Sequence, residues 1–98
     1  MTINKNVNGT ELTLAVEGRL DTVTSPELES VLKNSLEGMT KVVFDFAALE
    51  YVSSAGLRVL LSAQKIMNKQ GEMVIRNVGE TVMEVFEVTG FSDILTIE

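Results

Sequence analysis

The sequence predicts a single compact α/β domain over residues 1–98, with a mixed β-sheet that begins in an N-terminal hairpin and with helices packed against that sheet. Three observations carry this prediction. An Asn8-Gly9 pair separates two strand-like stretches, residues 42–46 form an apolar run, and three segments have apolar residues at helical spacing. A length of 98 residues with 45% hydrophobic content suits one small core.

The strands are predicted from alternation and from short apolar runs. Leu12, Leu14 and Val16 alternate with polar or small residues, so one face of this strand lies in the core. Asn-Gly is favoured in two-residue hairpin turns, so the preceding residues pair antiparallel with it. The run at 42–46 is typical of a central strand covered on both faces. The predicted strands lie at 3–7, 11–17, 42–46, 73–75 and 95–97.

Three helices are predicted from caps and periodicity. Ser25-Pro26-Glu27 supplies an N-cap, a proline at the first helical position and an acid in the first turn, and Gly38 stops this helix. The second helix begins at Ser54 and ends at Gln70-Gly71, and the third is closed by Gly90. The apolar face of the second helix comprises Gly56, Val59, Leu60, Ala63, Ile66 and Met67. That of the third comprises Val82, Val85 and Phe86.

Composition excludes several classes of function. The chain has no Cys and no His, which excludes disulfides, structural zinc, Cys–His nucleophiles and Ser–His–Asp triads. A net charge of −6 argues against a nucleic-acid partner and suits a protein partner with basic patches. No apolar run or signal-peptide pattern predicts membrane insertion. We therefore expect a cytoplasmic binding protein with no catalytic residues, no metal and no cofactor.

One stripe of the second helix collects polar and basic side chains, and it lies opposite the apolar face. Its members are Ser54, Arg58, Ser62, Lys65 and Lys69, which follow one another at intervals of four, four, three and four residues. The stripe is the only concentrated basic strip in an acidic chain. Ser54 should point into solvent in the first turn, with Arg58 one turn below it. Leu57 and Leu61 border the stripe, and we expect them to be partly exposed docking contacts.

Ser54 has a functional and a plain interpretation. A helix N-terminus presents unpaired N–H groups and a partial positive charge, which would accommodate a phosphate. The plain interpretation is that Ser53 or Ser54 only caps the helix, which is worth about 1 kcal/mol. Gly56 likewise has a plain role, in letting the first turn pack closely on the sheet. Spacing alone therefore indicates exposure rather than regulation.

Two other patterns give way to simpler explanations. Ser62-Ala63-Gln64-Lys65 matches the Ser-x-x-Lys pattern of penicillin-recognising enzymes, in which the lysine helps to activate the serine. The chain is too short for that fold and lacks its other motifs, so the exposed stripe explains both residues better. Glu80, Glu84 and Glu87 recur on the third helix at spacings that indicate a solvated face rather than a metal site.

Several short motifs occur in an order that matches a known family. Ser54-Ala55-Gly56-Leu57 is a serine–small–glycine–leucine segment, preceded by the strand at 42–46 and by Tyr51. Gly18-Arg19-Leu20-Asp21 stands at the end of the second strand, before a helix. These motifs resemble those of STAS domains, the family of anti-sigma factor antagonists, over the full length of the chain. Further similarities are Gly71-Glu72, Asn77-Val78, Phe86 and Gly90.

The resemblance implies which residues carry the function. It makes Ser54 the phosphoacceptor and places Asp21 in the neighbouring loop of the same surface. Many regulated members carry an aspartate immediately before the acceptor. This chain has Ser53 there, which supplies a second hydroxyl and is the alternative acceptor. The implied partner-binding residues are Asp21, Thr22, Tyr51, Ser53, Ser54, Leu57, Arg58 and Leu61.

The resemblance also implies partners. The unmodified protein would bind an anti-sigma factor with serine-kinase activity and so release a sigma factor, and phosphorylation would weaken that complex. A serine phosphatase is a further candidate partner, and we expect a monomer between complexes. The alternative function is a non-phosphorylated assembly subunit of a transporter or a signalling complex. In that case Leu57 and Leu61 would form a constitutive interface and Ser54 would be only a cap.

Overall fold

The computed structural model describes residues 1–98. Along the chain its helices and strands are β1 (Thr2–Asn8), β2 (Glu11–Leu20), α1 (Ser25–Ser35), β3 (Lys41–Asp45), β4 (Leu49–Val52), α2 (Ser54–Gln70), β5 (Glu72–Arg76), α3 (Glu80–Thr89) and a short 3-10 helix (Phe91–Asp93). The predicted α/β class, with a mixed sheet and an N-terminal hairpin, is confirmed.

The sheet is organised around β2. β1 pairs with it antiparallel, with Thr2 opposite Glu17 and Asn8 opposite Glu11, and Gly9 takes a positive φ of 63° in the turn. The first half of β2 pairs parallel with β3, which in turn pairs parallel with β5. The resulting order is β1-β2-β3-β5. The hairpin predicted from Asn8-Gly9 is therefore confirmed.

The end of β2 pairs with β4, a strand that the sequence does not predict. β4 runs parallel to β2, with Leu20 opposite Val52, after a register shift between Gly18 and Arg19. Sequence reasoning treats this region as a loop, because four residues carry too little periodicity to indicate a strand. The strand forms because β2 extends beyond β3 and offers backbone groups for pairing.

The helices follow the prediction, with a shift at the start of α1. Thr24 is the N-cap residue, whereas Ser25 is 3% exposed, so the predicted Ser25 cap is wrong by one residue. The reason is local: the amide and the hydroxyl of Ser25 both donate to the Asp21 carbonyl oxygen. α1 ends at Ser35, three residues before Gly38. α3 ends before Gly90, whose φ is +81°, as predicted.

The predicted final strand is reduced to one bridge. Ile97 forms an isolated parallel bridge with Ile75, whose amide donates to the Thr96 carbonyl at 2.9 Å. The prediction of a strand over 95–97 is wrong, because the 3-10 helix at 91–93 leaves only a few residues to reach the edge of β5.

The core lies between the three helices and one face of the sheet. It is a cluster of 22 buried residues, most of them from the three helices and from β2, β3, β4 and β5. Val43 and Val74 are buried on the opposite face, outside this cluster. Ile66 is 44% exposed beside the cleft between α1 and α2, so its predicted core position is wrong.

Candidate functional site

Ser54 is the first residue of α2, and its side chain is exposed. The residue before it, Ser53, has extended backbone angles of −98° and 176° and serves as the N-cap. The first helical hydrogen bond runs from the Leu57 amide to the Ser53 carbonyl at 2.9 Å, so the amides of the first turn have no partner within the helix. The predicted stripe is exposed throughout, at Ser54, Arg58, Ser62, Lys65 and Lys69.

The two adjacent serines differ sharply in access. The Ser53 hydroxyl oxygen is buried and has no hydrogen-bond partner, and it makes no cap bond. The Ser53 amide donates to the Leu20 carbonyl at 2.9 Å, which fixes the residue to the end of β2. A reagent in solvent therefore meets the Ser54 hydroxyl, whereas the Ser53 hydroxyl is covered.

Gly56 lets the first turn of α2 lie close against the sheet. A β-carbon at this position would lie 2.7 Å from Leu20 Cγ and 2.9 Å from Val52 Cγ2. Distances below 3.0 Å are shorter than real Cβ contacts, so only glycine fits without a shift. This approach holds Ser54 next to the loop that follows Leu20.

That loop is built on Asp21. Its Oδ1 accepts hydrogen bonds from the Val23 amide at 3.0 Å and from the Thr24 amide at 3.1 Å. The Thr24 hydroxyl donates to the Arg19 carbonyl at 2.7 Å and accepts from the Asp21 amide at 2.9 Å. The hydrogen bond from the Thr24 amide is the largest of the effects that lower the pKa of Asp21 from its ordinary value. Desolvation of the carboxylate acts in the opposite direction. The loop therefore carries a fixed negative charge.

Arg19 joins this loop to Tyr51. Its guanidinium carbon lies 4.4 Å from the centre of the Tyr51 ring, and its Nε lies 3.8 Å from Asp21 Oδ2. Arg19 and Tyr51 are opposite each other on β2 and β4. Sequence reasoning missed both Arg19 and Thr24 as site residues. Arg19 stands inside the Gly18–Asp21 motif, which was a usable signal, whereas nothing local singles out Thr24.

The two leucines bordering the stripe behave differently. Leu57 is 5% exposed and belongs to the core, so its predicted exposure is wrong. The cause is the close approach at Gly56, which draws the first turn of α2 onto the sheet. Leu61 is partly exposed, as predicted.

A cleft of about 360 Å³ lies beside Ser54, between α1 and α2. Thr22 lines it from the Asp21 loop, and Ala55 and Arg58 line it from α2. Its remaining walls are Ser25, Pro26, Glu29, Val59 and Ser62. No three acidic side chains are grouped to hold a metal ion, and none of the helices has the length and apolar character needed to cross a bilayer.

The sequence of the chain matches the model of a known protein family. The model of the STAS domain matches residues 2–98. The chain belongs to the STAS domain family. It is 38% identical over 88 residues to BtrV of Bordetella bronchiseptica, a protein named as an anti-sigma factor antagonist, covering 88% of this chain and 76% of that protein. It is 31% identical over 86 residues to the anti-sigma-B factor antagonist of Listeria monocytogenes, covering 85% and 75%.

Solved structures share the STAS fold. An anti-sigma factor antagonist from Mycobacterium paratuberculosis superposes with a TM-score of 0.88 at 22% identity, covering 98% of this chain and 83% of that one. Unphosphorylated SpoIIAA gives a TM-score of 0.85 at 17% identity, covering 99% and 88%. These two relatives and these two solved structures are all named as anti-sigma factor antagonists.

In this STAS domain most of the predicted surface residues come together. Asp21 is joined through Arg19 to Tyr51, and Thr22 shares the cleft with Arg58. Ser54 is exposed at the start of the helix that carries Arg58. The buried Leu57 side chain and the covered Ser53 hydroxyl lie beneath this surface instead of on it.

Proposed function

We propose that this STAS domain is an anti-sigma factor antagonist that binds its partner through the surface around Ser54. The observation that carries the proposal is the exposed Ser54 hydroxyl on the first turn of α2. It lies next to the structured Asp21 loop, on a domain whose relatives are anti-sigma factor antagonists. The domain would bind an anti-sigma factor, and this binding would release a sigma factor.

Ser54 is the phosphoacceptor in this proposal. A serine kinase would transfer the γ-phosphoryl group of ATP to the Ser54 oxygen, while the hydroxyl proton leaves and ADP is released. The covered Ser53 oxygen could be reached only after movement of the first turn, which favours Ser54 over the alternative. ATP and Mg²⁺ would belong to the kinase, so this chain is its substrate and partner and not an enzyme.

The phosphate would change recognition without changing the fold. It adds a charge of about −1.5 to −2, which the amides of the α2 N-terminus and Arg58, one turn away, can stabilise. SpoIIAA, which has the same fold, has been solved in phosphorylated and unphosphorylated forms, and this chain superposes on both, with TM-scores of 0.76 and 0.85.

The same charge would oppose binding at an interface, because the phosphate must lose its water there. A penalty of ~3 kcal/mol would weaken the complex roughly a hundredfold. A serine phosphatase would restore binding. We further propose that the protein works in the cytoplasm and is a monomer between complexes.

The alternative role as a constitutive assembly subunit has less support. It relies on Leu57 and Leu61 as interface residues, and Leu57 is in the core. The phosphorylation proposal needs only the exposed hydroxyl and its surroundings.

Intact-mass measurement after incubation with the cognate anti-sigma kinase and Mg-ATP tests the proposal. The parent protein and Ser53→Ala should gain one phosphoryl group, whereas Ser54→Ala should gain none and keep its circular dichroism spectrum. Labelling of Ser54→Ala but not of Ser53→Ala would move the acceptor to Ser53. Absence of labelling in all three proteins, together with stable binding, would favour the assembly subunit.

A further inference from the structure

Helix α2 has an unusual charge for this protein. The chain contains 14 acidic and 8 basic residues, yet α2 carries Arg58, Lys65 and Lys69 and no acidic residue in its 17 positions. All three basic side chains are exposed. The surface of α2 is therefore positive on a molecule whose net charge is −6.

Most of the unpaired positive charge lies on α1 and α2. Three basic residues form ion pairs, in the pairs Arg19–Asp21, Lys41–Glu72 and Arg76–Glu98. The others have no acidic partner within 4.0 Å; they are Lys5, Lys33, Arg58, Lys65 and Lys69. Only Lys5, on β1, lies outside α1 and α2. These charges are available to a partner, because no internal ion pair has to be broken.

A groove runs beside these charges, between α1 and α2, and its second part has a mainly apolar lining. The cleft next to Ser54 adjoins a second one of about 240 Å³, and the two share Glu29, Val59 and Ser62. The second cleft is lined by Leu32, Leu36 and Ala63 as well, with Lys33 at its side. A third depression, at 65–70, shares Ile66 with the second. The first two clefts follow α2 from residue 55 to residue 66, roughly 16 Å at 1.5 Å per residue, whereas the third is lined by α2 residues alone.

Ile66 shows that the groove is open. This side chain occupies a helical position expected to face the core, yet it is 44% exposed. It stands between two basic neighbours along the helix, Lys65 and Lys69. An exposed apolar side chain flanked by unpaired cations is the arrangement that a partner with apolar and acidic residues would complement.

We propose that the groove between α1 and α2 binds an acidic amphipathic helix of a partner protein. The apolar floor would take the apolar face of that helix, and Lys33, Arg58, Lys65 and Lys69 would pair with its carboxylates. Glu29 is the one carboxylate in the groove lining, and the acidic remainder of the surface would repel the same helix. This inference goes beyond the proposed function and does not depend on modification of Ser54.

The probe is a synthetic helical peptide of about 15 residues, which is long enough to span the groove. The peptide has Leu at alternating intervals of three and four residues and Glu at all other positions. The matched control peptide has Lys in place of Glu. Binding to the ¹⁵N-labelled full chain is followed by NMR, and vesicles of phosphatidylcholine with phosphatidylserine test an anionic membrane as the occupant.

We expect the acidic peptide to bind, with shifts confined to residues of α1 and α2, and to weaken as salt is raised. Changing Lys65→Glu together with Lys69→Glu should weaken binding at least about tenfold, because two attractions become repulsions. Lys5→Glu, on β1, changes the net charge by half as much as the double change, so it is compared with Lys69→Glu alone. Lys5→Glu should stay within about twofold of the parent. Ile66→Ser, which keeps the charge, should also weaken binding. No kinase or ATP is present in these titrations, which separates this test from the phosphorylation test.

Several results would overturn the inference. Equal binding of the Lys peptide would show that charge does not select the occupant. An equal loss in Lys5→Glu would show that only net charge matters. NMR chemical-shift changes in residues outside α1 and α2 would show that the peptide binds elsewhere. If the protein binds the vesicles but does not bind the peptide, the surface is a membrane contact. Circular dichroism of each variant confirms that the fold is retained.

Discussion

Gly56 of α2 and Leu20 of β2 approach so closely that a β-carbon on Gly56 would lie 2.7 Å from Leu20 Cγ. Leu20 is fully buried and directly precedes Asp21, and its carbonyl accepts the Ser53 amide. The contact therefore joins the two chain segments of the candidate site, the Asp21 loop and the start of α2. The position of Ser54 depends on packing between residues 36 positions apart in the sequence.

Gly56→Ala should destabilise the protein by about 1–3 kcal/mol, because the methyl group would overpack Leu20 and the stiff side chain of Val52. Urea unfolding gives the free energy of unfolding. Gly79→Ser is the control, because nothing lies within 4 Å of a β-carbon at Gly79 and serine is a favoured N-cap. Parental stability in Gly56→Ala would show that the sheet and α2 can separate at little cost.

The Asp21 carboxylate should make stability depend on pH in the acid range. Its pKa in the folded protein lies below the ordinary value of 3.8, so its contribution is complete above that value and is lost as pH falls through the lower, folded pKa. Asp21→Asn should therefore lose less stability than the parent when the pH falls below 3.8 and through the folded pKa of Asp21.

Urea unfolding at neutral and acid pH measures that difference, and carboxyl NMR titration reports the pKa directly. Glu87→Gln, on the exposed face of α3, serves as the control for removal of one negative charge. Identical acid profiles for Asp21→Asn and the parent would contradict the role given to the Val23 and Thr24 amides.

Ser53→Ala should leave stability unchanged or raise it by about 1 kcal/mol, because the hydroxyl that it removes is buried without a partner. Thr24→Ala is the contrasting variant. Its hydroxyl bonds to the Arg19 carbonyl and the Asp21 amide, and its loss should cost about 1–2 kcal/mol. Thermal and urea unfolding compare the two. A similar loss in both variants would mean that the Ser53 hydroxyl has a stabilising partner.

Ser54→Asp should weaken binding to the cognate anti-sigma factor at least about tenfold, which corresponds to 1.4 kcal/mol. The fold should keep or gain stability, since a negative charge at a helix N-terminus contributes about 0.3–1 kcal/mol. Titration calorimetry measures the affinity. Ser54→Asn, of equal size but uncharged, should bind more tightly than Ser54→Asp. Equal affinities of the aspartate variant and the parent would exclude electrostatic gating at Ser54.

Features that depend on a few neighbouring residues can be predicted from the sequence, and features that depend on distant contacts cannot. The hairpin at Asn8-Gly9, the end of α3 at Gly90 and the exposed stripe on α2 were predicted correctly, because each depends on a few neighbouring residues. β4 was missed, because its four residues form a strand only against the distant end of β2. Thr24 was missed for a similar reason, since its importance lies in hydrogen bonds made across a folded turn.

Helical periodicity was sufficient to place the Ser54 hydroxyl and Arg58 on one exposed face, because successive side chains of a helix rotate by a constant angle. Tertiary contacts decided the rest: Leu57 is drawn into the core, the Ser53 hydroxyl is covered, and Ile66 is left open beside α1. Periodicity specifies direction around one helix. Whether a side chain on the border of a face meets solvent depends on how closely the neighbouring strand and helix approach, and that distance is set by packing across the whole chain.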